Sequence, residues 1–338
     1  PNIRDRLDYS CAIFDADGEL CAQAAHIPVH LGSMAFAMSD VVSSIEWSAG
    51  DMVVLNDPYK GGTHLPDVTV IAPLYIDGKL TGFVANRAHH ADIGSETPGS
   101  MPLSSSLFEE GLIIEPSFLV KAGVVDEDYF AGLMKHMRNR QESSGDFIAQ
   151  VAANRRGLTR LAALIEKMGL QNYLLSLDLL NGYAAKLVKD SLCEIKDGEY
   201  FFEDVLDDDG QGQEDILIRA AVKFEKGNIT LDFTGSAKQV AGNINCPLSV
   251  TAAAVYYVFR CLMPPQTPAC AGSFRSINIV APKGSVVNAR FPAAVAAGNV
   301  ETSTRIVDVV LGALSQAIPS RVPAASHGSM NNLAMGNT

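Results

Sequence analysis

Hydrophobic and polar residues follow two different periods along this chain, and the period changes twice. Up to about residue 125, short apolar runs are separated by Gly, Pro and Asp turns, which predicts strands. Residues 9–14 form one such run, ended by Asp15-Ala16-Asp17-Gly18. Residues 52–55 read as a buried strand. Residues 68–85 read as an apolar hairpin broken at Asp77-Gly78. One helix is expected early, over 33–45. From about 126 to 195 the apolar spacing becomes helical, with Phe147, Val151, Leu158, Leu161, Leu164 and Ile165 near a 3.6 period. Residues 172–192 continue that pattern, and Gly169 is the expected break.

From Gly198 the alternation returns. Residues 200–205, 216–224 and 229–233 predict antiparallel strands with Asp/Gly turns. A helix over 247–262, a Pro-rich loop, a strand over 276–280 and a last helix over 301–317 complete the reading. The expected fold is therefore α+β in three stretches. These are a mixed, multi-sheet N-terminal region (1–125), a helical segment (126–197) and a β-rich region with packed helices (198–338). In the last helix, Val309, Val310, Ala313, Leu314 and Ala317 leave few polar positions, so it should be covered on most sides. Either a partner or further chain would cover it, and an oligomer or complex is expected. Pro1 opens directly in patterned sequence and Asn337-Thr338 follow a Gly-rich stretch, so the chain reads as a fragment of a longer one.

Composition narrows the function classes. Of 338 residues, 47% are hydrophobic and 19% charged, enough apolar material for sizeable cores. The net charge is -12, which argues against nucleic acid as a partner, because phosphates call for a basic footprint. The six cysteines show no C-x-x-C spacing and read as thiols of a reducing cytoplasm. No apolar run of bilayer length is evident. Walker A and G-x-S-x-G motifs are absent, so any ATP would be bound by another chain.

The chemistry concentrates at the two ends of the predicted hairpin. G-G-T-H-L-P-D (61–67) precedes it, and N-R-A-H-H-A-D-I-G (86–94) closes it. Pro66 and the paired glycines put His64 and Asp67 in a loop rather than on a helix face. Alone, they would read as a surface histidine and a capping aspartate. The second cluster shifts the balance, because His64, Asp67 and His89 then form the ligand set of an open transition-metal site. Adjacent residues of an extended chain point opposite ways, so only one of His89 and His90 is expected to face that site. Asp8, at a strand start, Asp57, in an Asx-Pro turn, and Glu301, at a helix start, each have an ordinary structural explanation. His26 and His30, with Pro28 spoiling a helix between them, could line a pocket, but read first as a packed pair.

At these residues the sequence resembles the hydantoinase B family. That family includes the B subunit of ATP-dependent N-methylhydantoinase, the C-terminal half of 5-oxoprolinase and the acetone carboxylase alpha subunit. The resemblance is carried by R-L-D-Y-S-C-A-I-F-D (6–15), H-I-P-V-H-L-G-S-M (26–34), N-D-P-Y-K-G-G-T-H-L-P-D (56–67) and N-R-A-H-H-A-D-I-G (86–94). D-F-T-G-S (232–236), G-N-I-N (242–245) and P-A-A-V-A-A-G-N-V-E-T (292–302) extend it over nearly the whole chain.

The resemblance implies an A-type partner of actin-like ATPase fold that phosphorylates the oxygen of a cyclic amide or ketone. The B-type chain would complete the reaction at a divalent metal, Mn or Zn. His64, Asp67 and His89 match the family's metal motif, with Asp8 as the fourth carboxylate or the group that orients or deprotonates water. His90, Asp92 and Arg87 would support or share in that chemistry. Hydrolysis of a hydantoin, oxoproline or other lactam is the leading expectation. Ketone carboxylation and a non-catalytic assembly subunit are the alternatives.

Overall fold

In a computed structural model, which describes residues 2–328, the chain opens with a short helix α1 (Asn2–Asp5) and two paired strands, β1 (Tyr9–Asp15) and β2 (Leu20–Ala25). Helix α2 (Pro28–Ser43) and strand β3 (Met52–Leu55) follow. The hairpin β4 (Asp67–Ile76) and β5 (Lys79–His89) comes next, and then β6 (Ser117–Lys121) and β7 (Val124–Val125). These strands form one antiparallel seven-stranded sheet in the order β2-β1-β5-β4-β3-β6-β7. The hairpin turns where expected. Asp77 and Gly78 take φ of 50° and 75°, the left-handed pair that matches the twist of a tight hairpin.

Helices cover both faces of this sheet. One face carries Ala12, Phe14, Val53, Leu55, Ile71, Phe83 and Ala85, packed on α2. The other carries Val54, Val68, Val70 and Ala72. It is covered by α4 (Arg140–Met168), which α3 (Glu127–Met134) precedes and α5 (Leu170–Leu192) follows across the break at Gly169.

Strands β8 (Gly198–Asp208), β9 (Glu214–Glu225), β10 (Asn228–Asp232) and β11 (Ile277–Val280) form a second sheet, in the order β11-β10-β9-β8. Strand β9 alternates as the sequence suggested: Ile216, Ile218, Ala220, Val222 and Phe224 are buried against α6 (Leu248–Leu262) and α7 (Glu301–Ser315). The architecture is α+β, as expected.

Two details differ from the sequence reading. Helix α2 starts at Pro28 rather than residue 33, because a proline in the first turn presets φ and lacks only an N–H that would have no partner there. Strands β2 and β6 were not foreseen. The run L-C-A-Q-A-A of β2 has no β-branched residue to mark it. All six cysteines are free thiols. Among the described residues no helix is long and apolar enough to cross a membrane.

The two sheet units meet where α2 crosses α6, and Gly32 sets that approach. A Cβ on Gly32 would lie 2.4 Å from Ala253 Cα. Gly32→Val should therefore cost about 1–3 kcal/mol through overpacking. Gly182→Ala, in the open interior of α5 where a Cβ meets nothing within 4 Å, should instead gain about 0.5–1 kcal/mol. Thermal denaturation of the two variants beside the parent checks both signs.

Candidate metal centre

The hairpin register sets Asp67 directly opposite His89, so both side chains leave the same face of the sheet. His64 arrives from the loop before β4, and Asn56 fixes that loop. The buried Asn56 amide donates to Leu65 O at 2.8 Å and Leu112 O at 2.9 Å, and its Oδ1 accepts from Ile114 N at 2.6 Å. Gly62 permits the tight path, since a Cβ there would stand 2.2 Å from Asn56 O.

These constraints converge on Asp67, which is 1% exposed. Its Oδ1 lies 3.1 Å from His89 Nδ1. Its Oδ2 accepts from the Thr63 hydroxyl at 2.6 Å and lies 3.3 Å from His64 Nε2 and 3.6 Å from His30 Nε2. One ligand atom each from His64, Asp67 and His89 fall within 4.8 Å of one another. Two imidazoles and a carboxylate at this spacing suit a divalent transition ion.

Burial alone would raise the Asp67 pKa. The charges of His64 and His30 beside it outweigh burial and hold the carboxyl well below its ordinary value. Burial would likewise lower His89, but the hydrogen bond and charge of Asp67 raise it above the usual imidazole value.

The other expected residues divide. Asp8 sits beside the cluster, with its backbone oxygen accepting from His89 N at 3.0 Å. Its carboxyl is held above the ordinary range, first by burial and also by the Asp67 charge, against the pull of His89. It is not among the three residues whose ligand atoms converge. His90 faces the opposite side of the sheet, as strand alternation demands for the neighbour of His89. Its Nε2 meets Gln150 Oε1 on α4 at 2.9 Å, its ring packs on Phe147, and burial lowers its pKa to about 4. Asp92 is also away from the cluster. Its carboxylate accepts from the backbone N–H groups of Gly94, Arg138 and Asn139, tying the loop after β5 to the approach to α4.

Arg87 lies two residues before His89, on the same face, and is fully buried. Its guanidinium donates to Thr69 Oγ1, Ser33 Oγ and Gly61 O at 2.8, 2.6 and 2.8 Å, joining β4, α2 and the loop before His64. Burial lowers its pKa to about 10, with Asp67 as the opposing charge.

Sequence reasoning missed three participants. His30 was paired with His26. Instead it turns inward to Ser10, 3.0 Å away, and to Asp67, while His26 stays outside against the Tyr9 ring. The helix start at Pro28 was the available signal. Asn299 comes from the second sheet unit, with Nδ2 lying 3.3 Å from His64 Nε2. Glu110 secures the segment leading to Asn299. Its Oε1 accepts from Val295 N, Ala296 N and Ser104 Oγ at 2.8, 2.9 and 2.8 Å. Burial pushes the Glu110 pKa up. Asn299 lies in the 292–302 stretch that carries the resemblance, but nothing local marks its contact with His64, and nothing marks Glu110.

Comparison with known proteins gives the family. The family model for hydantoinase B/oxoprolinase matches residues 1–338. An uncharacterized protein of Methanocaldococcus jannaschii is 41% identical over 99% of this chain and 60% of its own length. A 5-oxoprolinase of Dictyostelium discoideum is 37% identical over 99% of this chain and 27% of its own. The crystal structure of an ATP-dependent caprolactamase from Pseudomonas jessenii superposes with a TM-score of 0.88 at 29% identity, covering 93% of this chain and 55% of that one. The chain thus spans between 27% and 60% of the length of these relatives.

Arg87 offers a test of how the cluster is held. Lysine has the charge but not the planar fork that reaches Thr69, Ser33 and Gly61 together. Arg87→Lys should cost about 2–4 kcal/mol, within the range for breaking a buried charged network. Chemical denaturation measures it, and a loss under about 0.5 kcal/mol would show that the three contacts are not structural.

Proposed function

The chain belongs to the hydantoinase B/oxoprolinase family, and from that premise we propose that it carries the hydrolytic half of an ATP-dependent opening of a cyclic amide. An A-type partner of actin-like ATPase fold phosphorylates the amide oxygen, and this chain receives the activated ring. The observation that carries the reading is the convergence of His64, Asp67 and His89 within 4.8 Å around a buried carboxylate. The named activities of the relatives, 5-oxoprolinase and caprolactamase, are consistent with a lactam as substrate.

His64, Asp67 and His89 would hold a divalent ion, Mn or Zn. When bound, it supplies a water that loses its proton near neutral pH and a charge that polarises the reacting oxygen. The chain's own groups prepare for this. Thr63 fixes one oxygen of Asp67, and His89 is oriented by the other. Asp8, whose carboxyl burial holds above its ordinary pKa beside the cluster, would serve as the proton acceptor there. In the complete reaction, ring amide, ATP and two waters give the ring-opened acid, ADP and phosphate, one oxygen going to the new carboxylate and one to the released phosphate. The free thiols suit a cytoplasmic complex.

The direct test is a phosphate-release assay on the full-length protein with its A-type partner. Hydantoin or 5-oxoproline should stimulate release, and acetone with bicarbonate should not. Stimulation by acetone alone would place the complex among ketone carboxylases and overturn this reading.

Two further outcomes are expected. His89→Ala should lose bound metal and abolish turnover in a chain that still folds, with a lowered melting temperature because the buried Asp67 carboxylate loses one of the partners that offset its charge. Metal analysis and thermal denaturation beside the assay check this. Apparent metal affinity should also rise with pH. His89 is held above its ordinary pKa by Asp67, so an incoming ion must displace a proton, and that proton is lost more readily as pH climbs through the raised value. Calorimetry in two buffers of different ionisation enthalpy should show proton release on binding.

A further inference from the structure

Asn299 is 8% exposed, and its Oδ1 is buried with no hydrogen-bond partner. Its Nδ2 has one neighbour, His64 Nε2 at 3.3 Å, and donates to it only in the tautomer whose Nε2 carries no proton. That nitrogen also points at Asp67 Oδ2, 3.3 Å away, and is the atom through which His64 would ligate an ion shared with Asp67. An imidazole nitrogen has one lone pair in the ring plane. It cannot accept from the Asn299 amide and coordinate an ion at once. Loading the site therefore frees the Asn299 N–H, and the carboxamide is left buried with both its donor and its acceptor unpaired. A buried amide in that state calls for a polar ligand.

The amide is held firmly in that place. The segment 292–299 reaches it under the Glu110 bonds to Val295 and Ala296, and the Tyr59 hydroxyl donates to Ala293 O at 2.8 Å. Gly298 allows the last step, because a Cβ there would lie 1.9 Å from Asn245 O.

We infer that Asn299 is the residue by which the second sheet unit reads the substrate, and that it selects a ring amide. In a ring the amide is cis, so its N–H and C=O lie on one edge. A carboxamide matches that edge with two parallel hydrogen bonds, Nδ2–H to the carbonyl oxygen and Oδ1 from the ring N–H. An open-chain trans amide offers only one of these groups on a side, and a ketone has no N–H. The activated imidate that this chain receives keeps one of these contacts, Nδ2–H to the ring nitrogen, so what Asn299 reads in both forms is an unsubstituted ring nitrogen, which an N-methylated ring or a ketone lacks. A site built to pair a substrate N–H discriminates strongly against an analogue that lacks it. The inference rests on the metal reading above and goes further by naming the group that distinguishes a lactam from a ketone.

The test uses full-length protein loaded with Mn or Zn, with hydantoin, 5-oxoproline and N-methyl-5-oxoproline as probes. Calorimetry gives the dissociation constants of metal and probe for the parent, Asn299→Leu and Asn299→Asp. The parent should bind 5-oxoproline at least tenfold more tightly than the N-methyl compound. Asn299→Leu should erase that preference while metal affinity stays within about threefold. Asn299→Asp keeps the acceptor and should retain part of the preference. An unchanged preference in Asn299→Leu overturns the inference, as does failure of the loaded parent to bind either ring amide. A tenfold loss of metal affinity in Asn299→Leu would make Asn299 a support for His64 rather than a substrate contact. A parent that binds no metal would sink the metal reading itself, which separates that failure from the others.

Discussion

One buried carboxylate organises the functional face of this protein. Asp67 is withdrawn from water, a position that strongly disfavours a negative charge unless neighbours compensate. Here the compensation comes from His30, His64 and His89, with the Thr63 hydroxyl on one oxygen. Each partner comes from a different element, α2, the loop before β4 and the end of β5. Stabilising the charge and assembling the site are therefore the same event. Arg87 lies behind them, adding positive charge and tying three of the same segments together.

The second sheet unit completes what the first begins. Close backbone contact at Gly32 lets α6 lie against α2, and the segment 292–299 crosses the seam under Glu110 and Tyr59 to bring Asn299 to His64. A cluster with ligands on one unit and an amide from the other is sensitive to how the units sit. This gives a physical reason for the density of buried polar contacts along the seam, such as Ser249 Oγ to Gly62 O at 2.6 Å and Asn243 Nδ2 to Pro102 O at 2.6 Å.

What the sequence discloses here depends on contact range. The hairpin was legible because Asp77-Gly78 is a turn with its own chemistry, and once a hairpin is drawn, Asp67 and His89 must meet across it. His64 followed from its loop. The opposite facing of His89 and His90 was legible as an either-or, which only the packing of α4 decides, through Gln150 and Phe147. Two of the three contacts of Asp92 come from residues about 46 positions away, which no local pattern reports. Asn299 meets His64 across 235 positions, and no local pattern reports a contact of that span. His30 was lost to a rule applied at the wrong place: proline breaks a helix in its interior but begins one well.

The central claim is that His64, Asp67 and His89 are ligands of one divalent ion. Anomalous diffraction from crystals of the full-length protein grown with Mn or Zn tests it most directly. The account predicts a single strong anomalous peak within about 2.0–2.3 Å of a nitrogen of each histidine and an oxygen of Asp67. Crystals that bind the ion elsewhere, or leave these side chains in their mutual hydrogen bonds at saturating metal, would contradict it.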